Sequence, residues 1–300
     1  MRVDATLLIA NADAGGNDEQ AVSDAVAVLR RAGDVEVART GSPGDLDGAL
    51  HRRGGRRIVV AGGDGSLHAV VAALHRRNEL ASTEIGLIPL GTGNDFARGV
   101  GIPLDPVEAA RVLLDNKGQP VDLLVDCAGD IVVNAVHVGV GAEAGREAES
   151  WKGRLGKLGY YVGALIAGLR MTGLRLRVEA DGVVLADLDR PVLQVGIGNG
   201  PNVGGGTELL PGAQVDDGRV DVVVSFATGP WQRLAYALRL TRGSHEQRHD
   251  VSLTRAKSVS VTGEDFWCNA DGELYGPERN YTWRVEPGAV RFVLPPAPEA

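Results

Sequence analysis

The sequence predicts an α/β protein in two parts. A three-layer α/β domain with a parallel sheet is expected over residues 1–127, and a mostly antiparallel β-sandwich over residues 128–294, with a frayed Pro-rich tail at residues 295–300. Three observations predict this. In the first part, short apolar runs alternate with amphipathic ones, the rhythm of strands followed by covering helices. From Ile131 on, short β-branched or alternating runs dominate, with the hairpin signals Asp181-Gly182 and Asp271-Gly272 between them. Glycine-rich turns also follow two successive predicted strands of the first part, at the strand ends where parallel sheets take their ligands.

In chain order, the first part reads as strand Ala5–Ala10, helix Glu19–Arg31, strand Val35–Arg39, helix Asp45–Arg53, strand Arg57–Ala61, helix Leu67–Arg77, strand Ile85–Ile88, helix Val107–Leu114 and strand Val121–Val125. The run Ile58–Ala61 is continuously apolar, as expected for a sheet covered on both faces. The second part reads as strands Ile131–Val140, Leu174–Ala180, Val183–Ala186, Val192–Ile197, Val220–Phe226, Val251–Leu253, Ser258–Val261, Tyr281–Val285 and Val290–Leu294. Helices are expected at Leu155–Arg170 and Gln232–Arg242. The stretch Trp151–Arg170 is amphipathic and is read as a helix packed on the sandwich, with contact to a membrane as the alternative. Trp151, Trp231, Trp267 and Trp283 are expected in core or rim packing.

With 44% hydrophobic and 23% charged residues, the 300-residue chain can bury a substantial core. Its 39 acidic against 31 basic side chains, a net charge of −8, argue against a nucleic-acid binder. Cys127 and Cys268 are too few and too far apart for a disulfide framework or metal cluster, and are expected as buried, reduced thiols. The run Ala5–Ala10 is too short for a signal-peptide core, and no apolar run reaches the ~18 residues of a membrane span. A cytoplasmic protein without a transmembrane segment is expected.

The turn Gly62-Gly63-Asp64-Gly65-Ser66 follows the strand at Arg57, and Pro89-Leu90-Gly91-Thr92-Gly93-Asn94-Asp95-Phe96-Ala97-Arg98 follows the next. Backbone N–H groups in such a turn, with the positive end of the helix that follows, can cradle phosphate, and only glycine lets the main chain approach that closely. Neither turn is a Walker A loop, which would close on a Lys-Ser/Thr pair, nor a dinucleotide fingerprint. The pair in this order and spacing resembles the catalytic domain of the diacylglycerol kinase family, most closely the bacterial diacylglycerol and lipid kinases.

The resemblance implies an α/β nucleotide domain followed by a β-sandwich, with the active site in the cleft between them. It extends to Asn11-Ala12-Asp13-Ala14-Gly15, which is similar to the family's nucleotide-contacting loop with alanine in place of proline. Gly16-Asn17-Asp18 stand where bacterial members carry basic residues. By the same resemblance, Asn11, Gly15, Thr40, Gly62, Gly63, Asp64, Gly65, Ser66, Leu67, His68, Gly91, Thr92 and Asn94 would contact ATP. Asp64 would organise Mg²⁺ on the nucleotide, or else cap the helix after it. Asp95, Arg98 and Asp122 match a polar network beneath the site, with surface ion pairs as the alternative.

In the second part, Leu210-Pro211-Gly212-Ala213-Gln214-Val215-Asp216-Asp217-Gly218 resembles a family element in which Asp217 would bind a structural Mg²⁺, helped by the carbonyls of Gln214 and Arg219. Read alone, Asp217-Gly218 is a good hairpin turn. Ala270-Asp271-Gly272-Glu273 resembles the element whose glutamate, Glu273, is the expected general base. The function implied is an ATP-dependent lipid kinase that uses Mg²⁺ and acts on a lipid at the membrane surface, diacylglycerol by default, while transiently membrane-associated. A homodimer is compatible with it. A sphingoid base, ceramide or a soluble acceptor, and a nucleotide-binding regulator without turnover, are the alternatives.

Overall fold

The computed structural model describes residues 5–12, 16–139, 142 and 173–296. These form two compact units that are not contiguous in sequence. One holds the described residues up to Leu123, Gly204–Gly206 and the chain from Pro287 on; the other holds those of Leu124–Val203 and Thr207–Glu286.

The first unit is built from strands β1 (Thr6–Asn11), β2 (Val35–Thr40), β3 (Arg57–Gly62) and β4 (Glu84–Pro89) and helices α1 (Gly16–Leu29), α2 (Pro43–His51), α3 (Asp64–Arg76), α4 (Asp95–Gly99) and α5 (Pro106–Asp115). The strands run parallel in the order β2-β1-β3-β4. Parallel neighbours need crossovers, and the alternating pattern supplies α1, α2 and α3 for them. Leu8, Val59 and Ile88 pack with Val22, Ala25 and Leu29 of α1 and Leu113 of α5. Local chemistry fixes the helix starts. Ser42 accepts from the Asp45 N–H at 3.2 Å and Asp105 from the Val107 and Glu108 N–H groups, each ahead of a proline in the first turn.

Strand β5 (Gly118–Asp126) passes from the first unit into the second. There follow β6 (Ile131–Val132), β7 (Ala135–Gly139), β8 (Leu176–Ala180), β9 (Val183–Ala186), β10 (Gln194–Gly198), the short pair β11 (Asn202–Val203) and β12 (Thr207–Glu208), β13 (Val220–Ser225), helix α6 (Pro230–Leu240), β14 (Val251–Ala256), β15 (Ser258–Ala270) and β16 (Glu273–Val293). Among the described residues, the strands of the second unit pair antiparallel in the order β14-β13-β10-β7-β15-β16. Strand β15 pairs with β8 over Val259–Gly263 and with β7 over Cys268–Ala270. The change of partner coincides with register shifts between Thr262 and Cys268 and with Gly263 at φ +148°, where a Cβ would lie 2.3 Å from the Arg175 carbonyl. Val136, Val178, Val195, Val222, Val259, Phe266 and Trp283 fill the core.

The structure differs from the sequence expectation in several elements and side chains. The predicted strands Tyr281–Val285 and Val290–Leu294 are parts of one strand, β16. It continues through Pro287-Gly288 because Gly288 adopts φ +59° and its N–H donates to Asp122 Oδ1 at 2.7 Å. The end of β16 then pairs in parallel with β4, at Arg291 and Phe292. Ile131–Val140 is broken at Val133-Asn134, whose N–H groups donate to Asp271 instead of a strand. Cys127 is exposed, and only Cys268 is buried. Trp231 is 82% exposed, whereas Trp283 lies in the core. Val140, Trp151 and the predicted helix Leu155–Arg170 lie outside the described residues.

Phe96 and Phe292, both fully buried, meet at 4.7 Å between ring centroids, so the returning strand is fastened to α4 by an aromatic contact. Phe292→Ala is expected to cost about 3–5 kcal/mol, read as a fall in the urea midpoint.

Candidate active site

All four parallel strands end at one edge of their sheet. Asn11 is in register with Thr40, and Gly62 with Pro89, so the residues after β1, β2, β3 and β4 share that edge. Asn11 and Thr40 end their strands there, and the Ala12 N–H donates to Thr40 O at 3.1 Å. Gly15 lies outside the described residues.

The two glycine turns lie backbone to backbone. A Cβ on Gly63 would stand 2.8 Å from Gly91 Cα, one on Gly91 2.5 Å from Gly63 Cα, and one on Gly62 2.6 Å from Ser66 Oγ. The Leu90 N–H donates to Gly62 O at 3.0 Å. Helix α3 starts inside its turn, three residues before the predicted start, with Gly63 at the N-cap and no side-chain cap bond among the described residues. Its first internal bond runs from Leu67 N–H to Gly63 O at 3.0 Å. The N–H groups of Asp64, Gly65 and Ser66 precede that bond, and the helix dipole favours negative charge beside them. Leu67 and His68, by contrast, are buried, and the Leu67 N–H is committed within the helix.

Asp64 caps a helix, but not its own. Its two carboxylate oxygens accept from the Asp95 and Phe96 N–H groups, each at 3.1 Å, at the start of α4. Asn94 adopts φ +51° and folds back on Gly91, accepting from its N–H at 2.9 Å and donating to its carbonyl at 2.7 Å. The Arg98 Nε donates to Gly93 O at 3.0 Å. Asp95 is buried and accepts from the Gly205 and Gly206 N–H groups, the shortest at 2.7 Å. Burial raises its pKa against the lowering effect of those two bonds. Asp95 and Arg98 are thus held by backbone groups, and Asp122 by the Gly288 N–H. Thr92 is exposed at the tip of its turn.

In the second unit, Glu273 is exposed on the first residue of β16 and accepts from the Tyr275 hydroxyl at 3.1 Å. Burial, then the Glu273 charge, hold the Tyr275 hydroxyl above its ordinary pKa. The turn before it is pinned. Asp271, at φ +50°, accepts from the Val133, Asn134 and Ala135 N–H groups, at 2.7, 2.9 and 3.2 Å. Asn134 O in turn accepts from the Asn199 and Gly200 N–H groups, and Asn199 Nδ2 donates to Val133 O. Burial pulls the nearby His137 down to about 4 against a weaker pull from Asp271, so its ring is neutral near pH 7.

Comparison with known proteins agrees with this architecture. Residues 5–125 match the diacylglycerol kinase catalytic domain, and residues 134–294 match the YegS C-terminal NAD kinase beta sandwich-like domain. A Pseudomonas aeruginosa protein named "Probable lipid kinase YegS-like" is 34% identical over 98% of this chain and 96% of its own length. The chain belongs to the YegS-like lipid kinase family. A relative of the same name from Stenotrophomonas maltophilia is 34% identical over 96% of this chain and 95% of its own. The fold is that of a solved diacylglycerol kinase from Bacillus anthracis, with a TM-score of 0.73 and 22% identity over 99% of this chain and 98% of that one.

The expected cation sites of this kinase differ in how well they fit. Each Asp64 oxygen accepts a single N–H and keeps a lone pair, so Asp64 can still face a cation that arrives with a nucleotide. At Asp217, Oδ1 accepts from the Arg219 N–H at 3.0 Å and Oδ2 forms an ion pair with Arg255. Arg255 Nε also lies 3.5 Å from Asp221 Oδ2. A guanidinium already meets the charge on Asp217, Gln214 is exposed, and no group of three or more acidic, His or Cys side chains able to hold a metal occurs among the described residues. The arrangement here is a carboxylate pair beside a guanidinium, in which Asp217 Oδ2 and Asp221 Oδ2 are buried without a hydrogen-bond partner among the described residues. The sequence motif missed it because Arg255 lies on β14, far along the chain and paired in register with Asp221.

Two outcomes are expected. Gly63→Ala should lower stability by about 1–3 kcal/mol and nucleotide affinity with it, whereas Gly65→Ala, with nothing within 4 Å of its Cβ, should leave the melting temperature unchanged. Calorimetric melting and nucleotide titration of both variants check this. Desolvation raises the Asp221 carboxyl to about 6, so the folded chain holds this proton more tightly than the unfolded one, and the group's contribution falls as pH rises from about 4 to 6. Asp221→Asn, which cannot ionise, should therefore gain stability relative to the parent chain across that window, seen in urea midpoints at each pH.

Proposed function

We propose that this kinase transfers the γ-phosphate of ATP to the hydroxyl of a lipid, with diacylglycerol the first acceptor to test. The observation that carries the reading is the backbone contact of the Gly62–Ser66 and Gly91–Asn94 turns at an α3 N-terminus with no side-chain cap bond among the described residues. That is a cradle for a polyphosphate, shaped by glycines and biased toward negative charge. The names of the relatives and the solved fold support a lipid acceptor.

In this reading the nucleotide phosphates lie over Gly62–Ser66 and Thr92, with Asn11, Thr40 and Asn94 completing their surroundings. Asp64 would hold the Mg²⁺ that comes with the nucleotide, and the cation would neutralise phosphate charge. Glu273 takes the proton of the acceptor hydroxyl, the freed oxygen bonds to the γ-phosphorus, and the bond from that phosphorus to the β-phosphate oxygen breaks, releasing ADP. Most of the rate enhancement in such a transfer comes from positioning and charge neutralisation. The pinned turn at Asp271 supports the role of Glu273, since a base must be held within hydrogen-bond reach of its proton.

A soluble acceptor is a second reading, favoured by the NAD kinase likeness of the C-terminal domain. Phosphotransfer from labelled ATP to a lipid panel in mixed micelles, run beside soluble acceptors, separates the two. Glu273→Gln is expected to lower kcat by roughly 10²–10⁴-fold with nucleotide affinity unchanged. Nucleotide binding without transfer to any acceptor would point instead to a regulator without turnover.

A further inference from the structure

Helix α6 presents an apolar stripe that is exposed among the described residues. Tyr236 is buried and Leu240 packs beside the cluster of Leu193, Ala227 and Tyr236. On the opposite side Trp231, Leu234 and Leu238 are 82%, 47% and 50% exposed. Their spacing, i, i+3 and i+7, sets them in line along one face of the helix. Isolated exposed apolar side chains are ordinary, but a tryptophan and two leucines aligned on one helix mark a surface made to be covered.

Charge identifies the occupant. The chain carries a net charge of −8, yet no Asp or Glu occurs between Asp221 and Glu246, while Arg233, Arg239 and Arg242 do. Arg239 and Arg242 are exposed and flank the stripe, and Arg233 is turned inward, its Nε donating to Thr228 O at 2.8 Å. An apolar face with a tryptophan, bordered by arginines in an otherwise acidic protein, suits the boundary between acyl chains and anionic head groups. Arginines there can lay their aliphatic stems on the apolar side and keep the guanidinium at phosphate level.

We propose that α6 is an interfacial anchor that seats Trp231, Leu234 and Leu238 in an anionic bilayer surface, with Arg239 and Arg242 on its phosphates. The proposal rests on the lipid-kinase reading only in giving the anchor a purpose, because membrane binding is measurable without turnover.

The test is sedimentation, without ATP, with vesicles of phosphatidylcholine alone and of phosphatidylcholine mixed with phosphatidylglycerol. The parent chain should pellet with the mixed vesicles and much less with the neutral ones. Trp231→Ser combined with Leu238→Ser should reduce partitioning by roughly tenfold or more, and Arg239→Gln with Arg242→Gln should remove the preference for the anionic lipid. These side chains are exposed, so the melting temperature should stay unchanged, as should phosphorylation of a short-chain diacylglycerol dissolved as monomer. A parent chain that ignores mixed vesicles, or variants that pellet as well as the parent, would overturn the anchor. So would variants that elute as a smaller species, because the stripe would then be a contact between copies. Failure of the kinase reading looks different: no lipid is phosphorylated, yet vesicle binding still depends on Trp231 and Leu238.

Discussion

The carboxylate of Asp64 holds together the part of this protein on which its chemistry is proposed to rest. It leaves the first turn of α3 and accepts the first N–H groups of α4, so one side chain ties the end of β3 to the segment after β4. With that bridge in place the Gly63 and Gly91 backbones meet at a distance that admits no side chain on either. Capping in this sense does more than satisfy two orphan donors. It withholds Asp64 from its own helix, whose N-cap Gly63 makes no side-chain cap bond.

Much of this could be read in the sequence because it is local. Apolar strands and amphipathic helices at the right periods made the parallel unit visible, and Gly62–Ser66 and Gly91–Asn94 stood out by composition. The positive φ of both residues in Asp181-Gly182 and Asp271-Gly272 follows from the same local preferences. Helix α4 could not be read. It has five residues, its N-cap Asn94 is left-handed and turned back on Gly91, and its real cap comes from a residue thirty-one positions earlier. The same limit hid Arg255, which answers Asp217 and Asp221 across the β13–β14 pairing, and hid the continuity of β16, which depends on Asp122 receiving the Gly288 N–H.

The second unit uses the same device. Asp271 looks in the sequence like one half of a hairpin dipeptide, but its carboxylate gathers three successive N–H groups from residues 133–135. The strand of residues 131–139 is interrupted there for that reason, and the interruption gives Glu273 a fixed base. In both units an aspartate beside a glycine caps a distant stretch of backbone, and the residues proposed to act on substrate lie next to it. Buried backbone groups must find partners, and here they find them in ways that stiffen the proposed machinery.

The return of β16 to the first unit bears on how the protein can be made. Arg291 and Phe292 pair with β4, and until they arrive β4 presents an open edge, the kind of surface on which chains stick to one another. A ribosome delivers those residues after every other strand of both units, so the first unit cannot complete its sheet until the second has been made. A fragment ending near Leu123 would lack that strand altogether. The order in which the halves are written is therefore not the order in which they can be finished.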